Sequence, residues 1–188
     1  MKYCIISGSH RAQSNSNKIA RYVEHNLQQL DDRNEIEQIL VSDINLPMWS
    51  EDIYDPKSDL SKQWMQISMQ LKISDAFIII SPEWAGMAAP ALKNFLLFCD
   101  NGELSHKPAM IVTVSAGEGG SYPVVELRST GYKNNHVCFI PEHIIVRHAD
   151  HMFNDLEAHD NEHDQQIRQR MDYGLRVLSQ YSEALQSV

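Results

Sequence analysis

The chain has 188 residues, 43% of them hydrophobic and 22% charged. A chain of this length buries roughly 70% of the surface of its unfolded form, so one globular domain over residues 1–188 is expected. Sixteen basic against twenty-five acidic residues leave a net charge of −9 with histidine neutral, a field that repels nucleic acid and anionic membrane. A phosphate-bearing ligand must therefore be held by a local site. No apolar run approaches the roughly 20 residues of a membrane span, and no signal-peptide pattern opens the chain. Cys4, Cys99 and Cys138 sit in apolar contexts without CxxC spacing. Such contexts raise thiol pKa values, which argues against cysteine nucleophiles, and an odd scatter of thiols suits a reducing, cytoplasmic compartment.

The elements follow in order. Tyr3–Ser7 reads as a strand, and Ile19, Val23, Leu27 and Leu30 stripe one face of a helix. Ile36–Val41 reads as a second strand, followed by a helical stripe of Leu60, Trp64, Ile67 and Leu71. Ala76–Ile80 is a third strand. The segment Ala91–Cys99 is apolar nearly all round and reads as a buried helix, with Pro90 in its first turn. Asp100 and Glu103 read as solvated loop or helix-end residues. Ala109–Val114 and Val137–Ile140 are further strands, with Ile144–Val146 as a continuation of the last. Ile167, Met171, Leu175, Leu178 and Leu185 stripe a final helix. Nearly uninterrupted apolar runs such as Phe77-Ile78-Ile79-Ile80 suit strands covered on both faces. Five strands alternating with about five helices predict a flavodoxin-like α/β three-layer sandwich. Its five-stranded parallel sheet has order 2-1-3-4-5, with helices on both faces.

In that order strands 1, 3 and 4 are neighbours, so the loops after them meet where such sheets bind ligands. Each of these strands runs into a serine. The first loop, Gly8-Ser9-His10-Arg11-Ala12-Gln13-Ser14-Asn15-Ser16-Asn17, carries hydroxyls, amides and one guanidinium before a helix N-terminus. That composition suits a phosphate dianion, and equally a polar loop with a Ser or Asn cap. It matches neither GxxxxGK[ST] nor GxGxxG. The second loop, Ser81-Pro82-Glu83-Trp84-Ala85-Gly86-Met87-Ala88-Ala89-Pro90, is stiffened by a proline on each side. It can offer main-chain N–H groups to a flat heterocycle, with Trp84 either covering the ligand or packing in the core. The third, Ser115-Ala116-Gly117-Glu118-Gly119-Gly120-Ser121-Tyr122, holds three glycines in four positions of a chain that has eight in all. It either presses its backbone against something or is a plain flexible connection.

Together these residues resemble the NADPH-dependent FMN reductases of flavodoxin-like fold, which include quinone reductases and azoreductases. The resemblance rests on Gly8-Ser9-x-Arg11-x-x-Ser14, on Ser81-Pro82-Glu83-Trp84-x-Gly86 with Pro90-x-Leu92-Lys93-Asn94, and on the glycine-rich third loop. It covers about residues 2–140. It implies that Ser9, Arg11, Ser14, Ser16 and Asn17 hold the FMN phosphate. The backbone of Pro82, Glu83, Trp84, Ala85 and Gly86 would line the isoalloxazine ring, and Ser115, Gly117, Glu118, Gly119 and Gly120 would face its other edge. The family usually has an aromatic residue followed by Asn after the Pro-Glu pair, where this chain has Trp84-Ala85. Ser16 stands where Asn is common.

The implied chemistry is ping-pong. Hydride passes from NADPH or NADH to the flavin, then electrons pass to a small acceptor such as a flavin or quinone, and no catalytic side chain is required. The resemblance also implies a homodimer or homotetramer. A flavodoxin-type FMN electron carrier is the alternative, although its phosphate loop lacks an arginine; direct NAD(P)H oxidation separates the two. A non-enzymatic role with FMN lost or structural is a further alternative, because Trp84-Ala85 falls in the ring loop. Arg128, Lys133 and Arg147 are cations available to a ribose phosphate, with nothing to single one out. Six of nine histidines (His136, His143, His148, His151, His159 and His163) cluster among acidic residues, which raises a metal site. HEXXH is absent, so the segment reads instead as an acidic surface insertion.

Overall fold

The computed structural model describes residues 1–157 and 161–187. The strands are β1 (Lys2–Ser7), β2 (Glu35–Leu40), β3 (Ala76–Trp84), β4 (Met87–Ala88), β5 (Pro108–Val114) and β6 (Cys138–Val146). The α-helices are α1 (Asn15–Leu30), α2 (Val41–Ile44), α3 (Asp59–Ile73), α4 (Pro90–Phe98), α5 (Ser121–Thr130) and α6 (Glu162–Leu185). Parallel pairing orders the sheet β2-β1-β3-β5-β6, while the two-residue β4 pairs antiparallel with the end of β3. With β4 set aside, this is the expected flavodoxin-like order.

Side-chain alternation along the strands divides the core in two. Tyr3, Ile5, Ile78, Ile80, Met110 and Val112 face α1 and α6. Cys4, Ile6, Phe77, Ile79 and Ile111 face α3, α4 and α5. Both faces of the central strands are thus dry, which is why their sequence shows no polar alternation. Burial pushes the Cys4 thiol up to about 12 and raises Cys99 well above its ordinary value.

Three local features depart from the sequence expectation. First, β3 does not stop at Ile80 but runs on to Trp84 and turns back into β4, pairing Glu83 with Ala88 and Trp84 with Met87. Half of the expected second loop is therefore a hairpin. Its turn residues Ala85 and Gly86 have φ of 49° and 79°, the positive pair that marks a type I′ turn. Second, the last strand continues to Val146 as expected but carries a bulge, where the register jumps between the Ala109–Phe139 and Ile111–His143 pairs. Pro141 lies within the bulge, and Arg128 donates to the carbonyls of Ile140 and Pro141 at 2.6 and 2.9 Å.

Third, Glu103 is fully buried rather than solvated. Its carboxylate accepts from Ser68 Oγ at 2.6 Å, the Asn101 amide at 2.8 Å and Trp64 Nε1 at 3.4 Å. A buried carboxylate persists when its lone pairs are matched in this way. Asp100 stays partly exposed and accepts from Tyr54 Oη at 2.6 Å.

Past β6, Arg168 of α6 docks the chain onto α1. It pairs with Asp164 at 2.8 Å, donates to the carbonyls of Asp155 and Leu156, and lies over the Tyr22 and Phe153 rings.

The hairpin gives the first prediction. Alanine in the left-handed region costs about 1 kcal/mol, and asparagine tolerates it. Ala85→Asn, which restores the family's turn residue, should raise unfolding stability by about 0.5–1 kcal/mol in urea titration. A neutral or destabilising result would mean that the turn is not of this type.

Candidate active site at three strand ends

β1, β3 and β5 end at the same edge of the sheet, and the structure brings their loops into pairwise contact. Gly8 N donates to Ile80 O at 2.8 Å, so the first loop leaves β1 still hydrogen-bonded to β3. The His10 ring packs on Trp84 with centroids 4.3 Å apart, joining the first loop to the hairpin. The Glu83 carboxylate accepts from the Gly120 amide, joining the hairpin to the glycine-rich loop. Ala116 of that loop and residues Arg11–Ser14 line one cavity of about 530 Å³.

Within the first loop the expected residues take different duties. Ser14 caps α1, its Oγ accepting from Asn17 N at 3.1 Å. The Asn17 side chain is fully engaged, accepting from Ser7 Oγ at 2.6 Å and donating to Ala12 O at 3.2 Å. It shapes the loop. Ser9 is buried and its Oγ accepts from the Arg11 amide at 3.2 Å, leaving its own proton free. Ser16 is also buried, and its Oγ has no partner. The Arg11 guanidinium is exposed and makes no ion pair among the described residues. Lys18 is drawn away to Ala149 O and Asn154 Oδ1, at 2.7 and 2.8 Å, and burial lowers its pKa.

The two helix N-termini at this edge differ in charge. The first turn of α1 contains no acidic side chain, and beyond the Asn17 amide capped by Ser14 its positive end lies at the 530 Å³ cavity. α5 begins at Gly120, which has no side chain to act as a cap, and the Glu83 carboxylate takes that place. The fixed Glu83 carboxylate disfavours an external anion at the α5 end, in contrast to the α1 end. Asp150 stands at its rim, accepting from Asn15 Nδ2 at 2.7 Å.

Pro82 and Glu83 lie on the last residues of β3, Trp84 is half-buried, and Ala85 and Gly86 form the turn. In the third loop Gly117 and Glu118 are exposed. An added Cβ at Gly117 would meet nothing within 4 Å, whereas one at Gly119 would lie 2.5 Å from Glu83 Oε1. Ser115 Oγ accepts from Gly117 N at 3.2 Å.

Two residues that sequence reasoning left unassigned hold this loop from behind. Arg147 donates to Glu118 O at 2.7 Å and to Ser121 Oγ at 3.2 Å, and His148 Nε2 lies 2.9 Å from Glu118 Oε1. Arg128 is engaged by the β6 bulge, and Lys133 lines a separate groove. Neither is placed at the three loops. Among the described histidines, His136 stacks on His106, His143 rests near Pro141 O and His148 sits on the third loop. No group of three His, Cys, Asp or Glu among the described residues is placed to hold a metal, and His159 lies outside them.

The larger cavity, about 710 Å³, is elsewhere. It runs between α4 and α5 and is closed at one side by Met48 and Trp49, so it is an apolar groove on the helical face.

The model of a family described as NADPH-dependent FMN reductase matches residues 1–151. An NADPH azoreductase of Bacillus sp. (strain OY1-2) is 20% identical over 146 residues, 78% of this chain and 76% of that protein. The flavoenzyme FerB, an NAD(P)H:(acceptor) oxidoreductase from Paracoccus denitrificans, superposes with a TM-score of 0.74. It is 19% identical, with 96% of this chain and 98% of that one covered. An NADH:FMN oxidoreductase in its apo form gives a TM-score of 0.69 at 18% identity, covering 100% and 91%. At these identities the two solved structures establish the fold.

The start of the first loop is closely packed. A Cβ at Gly8 would lie 2.7 Å from Leu92 Cβ and 2.9 Å from Ile80 O, and neither can yield easily. Gly8→Ala should cost about 1–3 kcal/mol of stability in urea titration, the usual penalty for overpacking. A cost below about 0.5 kcal/mol would show that β1 and α4 are not pressed together here.

Proposed function

The chain belongs to the NADPH-dependent FMN reductase family, and from that membership we propose that it passes electrons from NAD(P)H through FMN to a small acceptor, a flavin or quinone, in ping-pong order. The observation that carries this reading is the convergence of three loops, of which the first joins an exposed arginine to a helix start without an acidic side chain.

The residues present fit FMN. Ser16 Oγ is a buried hydroxyl without a partner, the Arg11 guanidinium is unpaired among the described residues, and α1 begins without an acid. A phosphate dianion in the 530 Å³ cavity would meet Arg11 and the start of α1, which line it, with Ser9, Ser14 and Ser16 as nearby hydroxyls of the same segment and Asn17 holding the loop's shape. The flat ring would lie against the backbone of Pro82–Gly86, beside Trp84 and facing the Ser115–Gly120 loop. When bound, FMN supplies hydride acceptance from NAD(P)H and delivery of electrons to the acceptor. The chain's own part is to bind and orient. Arg11 neutralises the phosphate, Trp84 and His10 bound one side of the slot, and the glycine-rich backbone allows close approach. No side chain here is assigned a proton-transfer role.

Two further proposals accompany this one. The whole of residues 1–188 acts as a single domain in a reducing cytoplasmic setting, as its three free cysteines suggest. No helix among the described residues is long and apolar enough to cross a membrane. The chain also pairs as a homodimer or homotetramer through the α4–α5 face, where Leu97, Tyr122 and Val125 are 56%, 71% and 66% exposed beside the 710 Å³ groove. A monomer seldom leaves such a contiguous apolar surface in water.

Anaerobic reconstitution with FMN should give bound flavin bands that bleach when NADPH or NADH is added. Bound flavin that neither donor bleaches would indicate an electron carrier, and no bound flavin would remove the reading altogether. Arg11→Ala should weaken FMN about ten- to a hundredfold, as expected for a charge-assisted hydrogen bond, and leave riboflavin unchanged. Equal losses for both flavins would displace the phosphate from this loop. Light scattering should give at least a dimer for the native chain and a monomer for Leu97→Glu combined with Val125→Glu; a monomeric native chain would rule out the interface.

A further inference from the structure

The hairpin and the glycine-rich loop are joined by two carboxylates that run in opposite directions. Glu83, at the end of β3, accepts from the Gly120 amide of the other loop. Glu126, on the helix that follows that loop, reaches back to the hairpin. Its Oε2 accepts from Ala88 N at 2.7 Å and its Oε1 from Lys93 Nζ at 2.7 Å. The Lys93 ammonium holds the Glu126 carboxyl below its usual range. Each element thus donates a backbone amide to a side chain rooted in the other.

The hairpin has little hold of its own, whereas the glycine-rich loop is also held by Thr113 Oγ1, which donates to Gly120 O at 2.7 Å, and by Arg147 on Glu118 O. The hairpin has two paired positions and a strained Ala85 at its turn. Gly120 has positive φ, no side-chain cap, and an added Cβ there would lie 2.5 Å from Ile145 Cγ2. Gly119 is similarly filled on one side by the Glu83 carboxylate. The side-chain hydrogen bonds that join these two elements to each other are those of the two carboxylates.

We propose that Glu83 and Glu126 form a reciprocal clasp that presets the width of the slot for the flavin ring, which makes both of them positioning residues. This rests on the FMN reading above. It assigns the Glu83 side chain to the protein and leaves only its backbone for the ligand. The clasp acts on the ring and not on the phosphate, which is held by the α1 loop, so its loss must affect FMN and riboflavin alike.

The test uses the full chain, with hydrogen exchange on the ligand-free protein and titration with FMN and with riboflavin. In Glu126→Ala the Gly120 amide should exchange at least about fivefold faster although its own partner Glu83 is intact, because the loops open together. Glu83→Ala and Glu126→Ala should each weaken both flavins by about tenfold, and the double variant by clearly less than the product, since either cut frees both loops. Glu83→Gln, which keeps a carbonyl acceptor, should stay within about threefold of the native affinity.

Unchanged Gly120 exchange in Glu126→Ala, or strictly multiplicative losses, would overturn the clasp. So would a loss confined to FMN. If Glu83→Ala does not fold, Glu126→Ala and Glu83→Gln decide the matter alone. A native chain that binds neither flavin would defeat the FMN reading, while the exchange coupling would still stand or fall separately.

Discussion

The contact on which the site depends is the hydrogen bond from Gly8 N to Ile80 O, one residue beyond the last Cα pair of β1 and β3. It brings the start of the first loop against the first turns of α4, where only a hydrogen fits in place of a side chain. From that point the chain has eight residues, Gly8–Asn15, in which to reach the start of α1. The loop must therefore turn back at the sheet edge, starting at the buried Ser9 and ending where the buried Ser16 lies in the first turn of α1. The parallel order β1-β3-β5 then places the other two loops beside it. A change at Gly8 would disturb all three, although Gly8 itself offers nothing to a ligand.

Electrostatics select among the places that topology makes available. The chain is acidic throughout, with a net charge of −9, yet one helix start at the sheet edge carries no acid and has an unpaired arginine beside it. The second helix start is already occupied by Glu83. An anion brought to this edge finds attraction at α1 and a fixed carboxylate at α5. Asp150 bounds the attractive region on its outer side, and Lys18, which might have widened it, is turned towards Ala149 and Asn154. The result is a small positive site in a negative surround, a size suited to one phosphate.

The sequence makes legible whatever depends on local pattern. Uninterrupted apolar runs identify strands covered on both faces, and hydrophobic stripes identify α1, α3 and α6. Gly, Ser and Arg spacing identifies the three loops. Features set by contacts distant in sequence leave no such trace. Glu103 looks like a solvated loop acid until Ser68 and Trp64 of α3 are brought to it. The bulge in β6 depends on Arg128, which lies on the preceding helix and reads as a free cation in sequence. Arg147 and His148, which brace the glycine-rich loop, are likewise anonymous in the chain. The hairpin is a different case. A type I′ turn is signalled by Asn-Gly, and Ala85-Gly86 hides it, so a real local structure lacked its usual local sign.

That same hairpin links the site to the helical face. Met87 leaves the turn on β4 and is 48% exposed, while Tyr122, 71% exposed at the start of α5, passes within 3.8 Å of where a Gly86 side chain would begin. These two exposed side chains lie on the hairpin and on the first residues of α5, the helix that carries Leu127 and Thr130 of the groove lining. A molecule or subunit that covered the groove would border the open side of the slot, and with it whatever acceptor approached there. Glu126 accepts from the amide of Ala88, the next residue of β4, and is itself held by Lys93 of α4, so the hairpin is tied to that face. Packing on the helical face and access to the site are therefore mechanically one problem. The same two carboxylates that set the spacing of the loops also tie that spacing to whatever packs against α5.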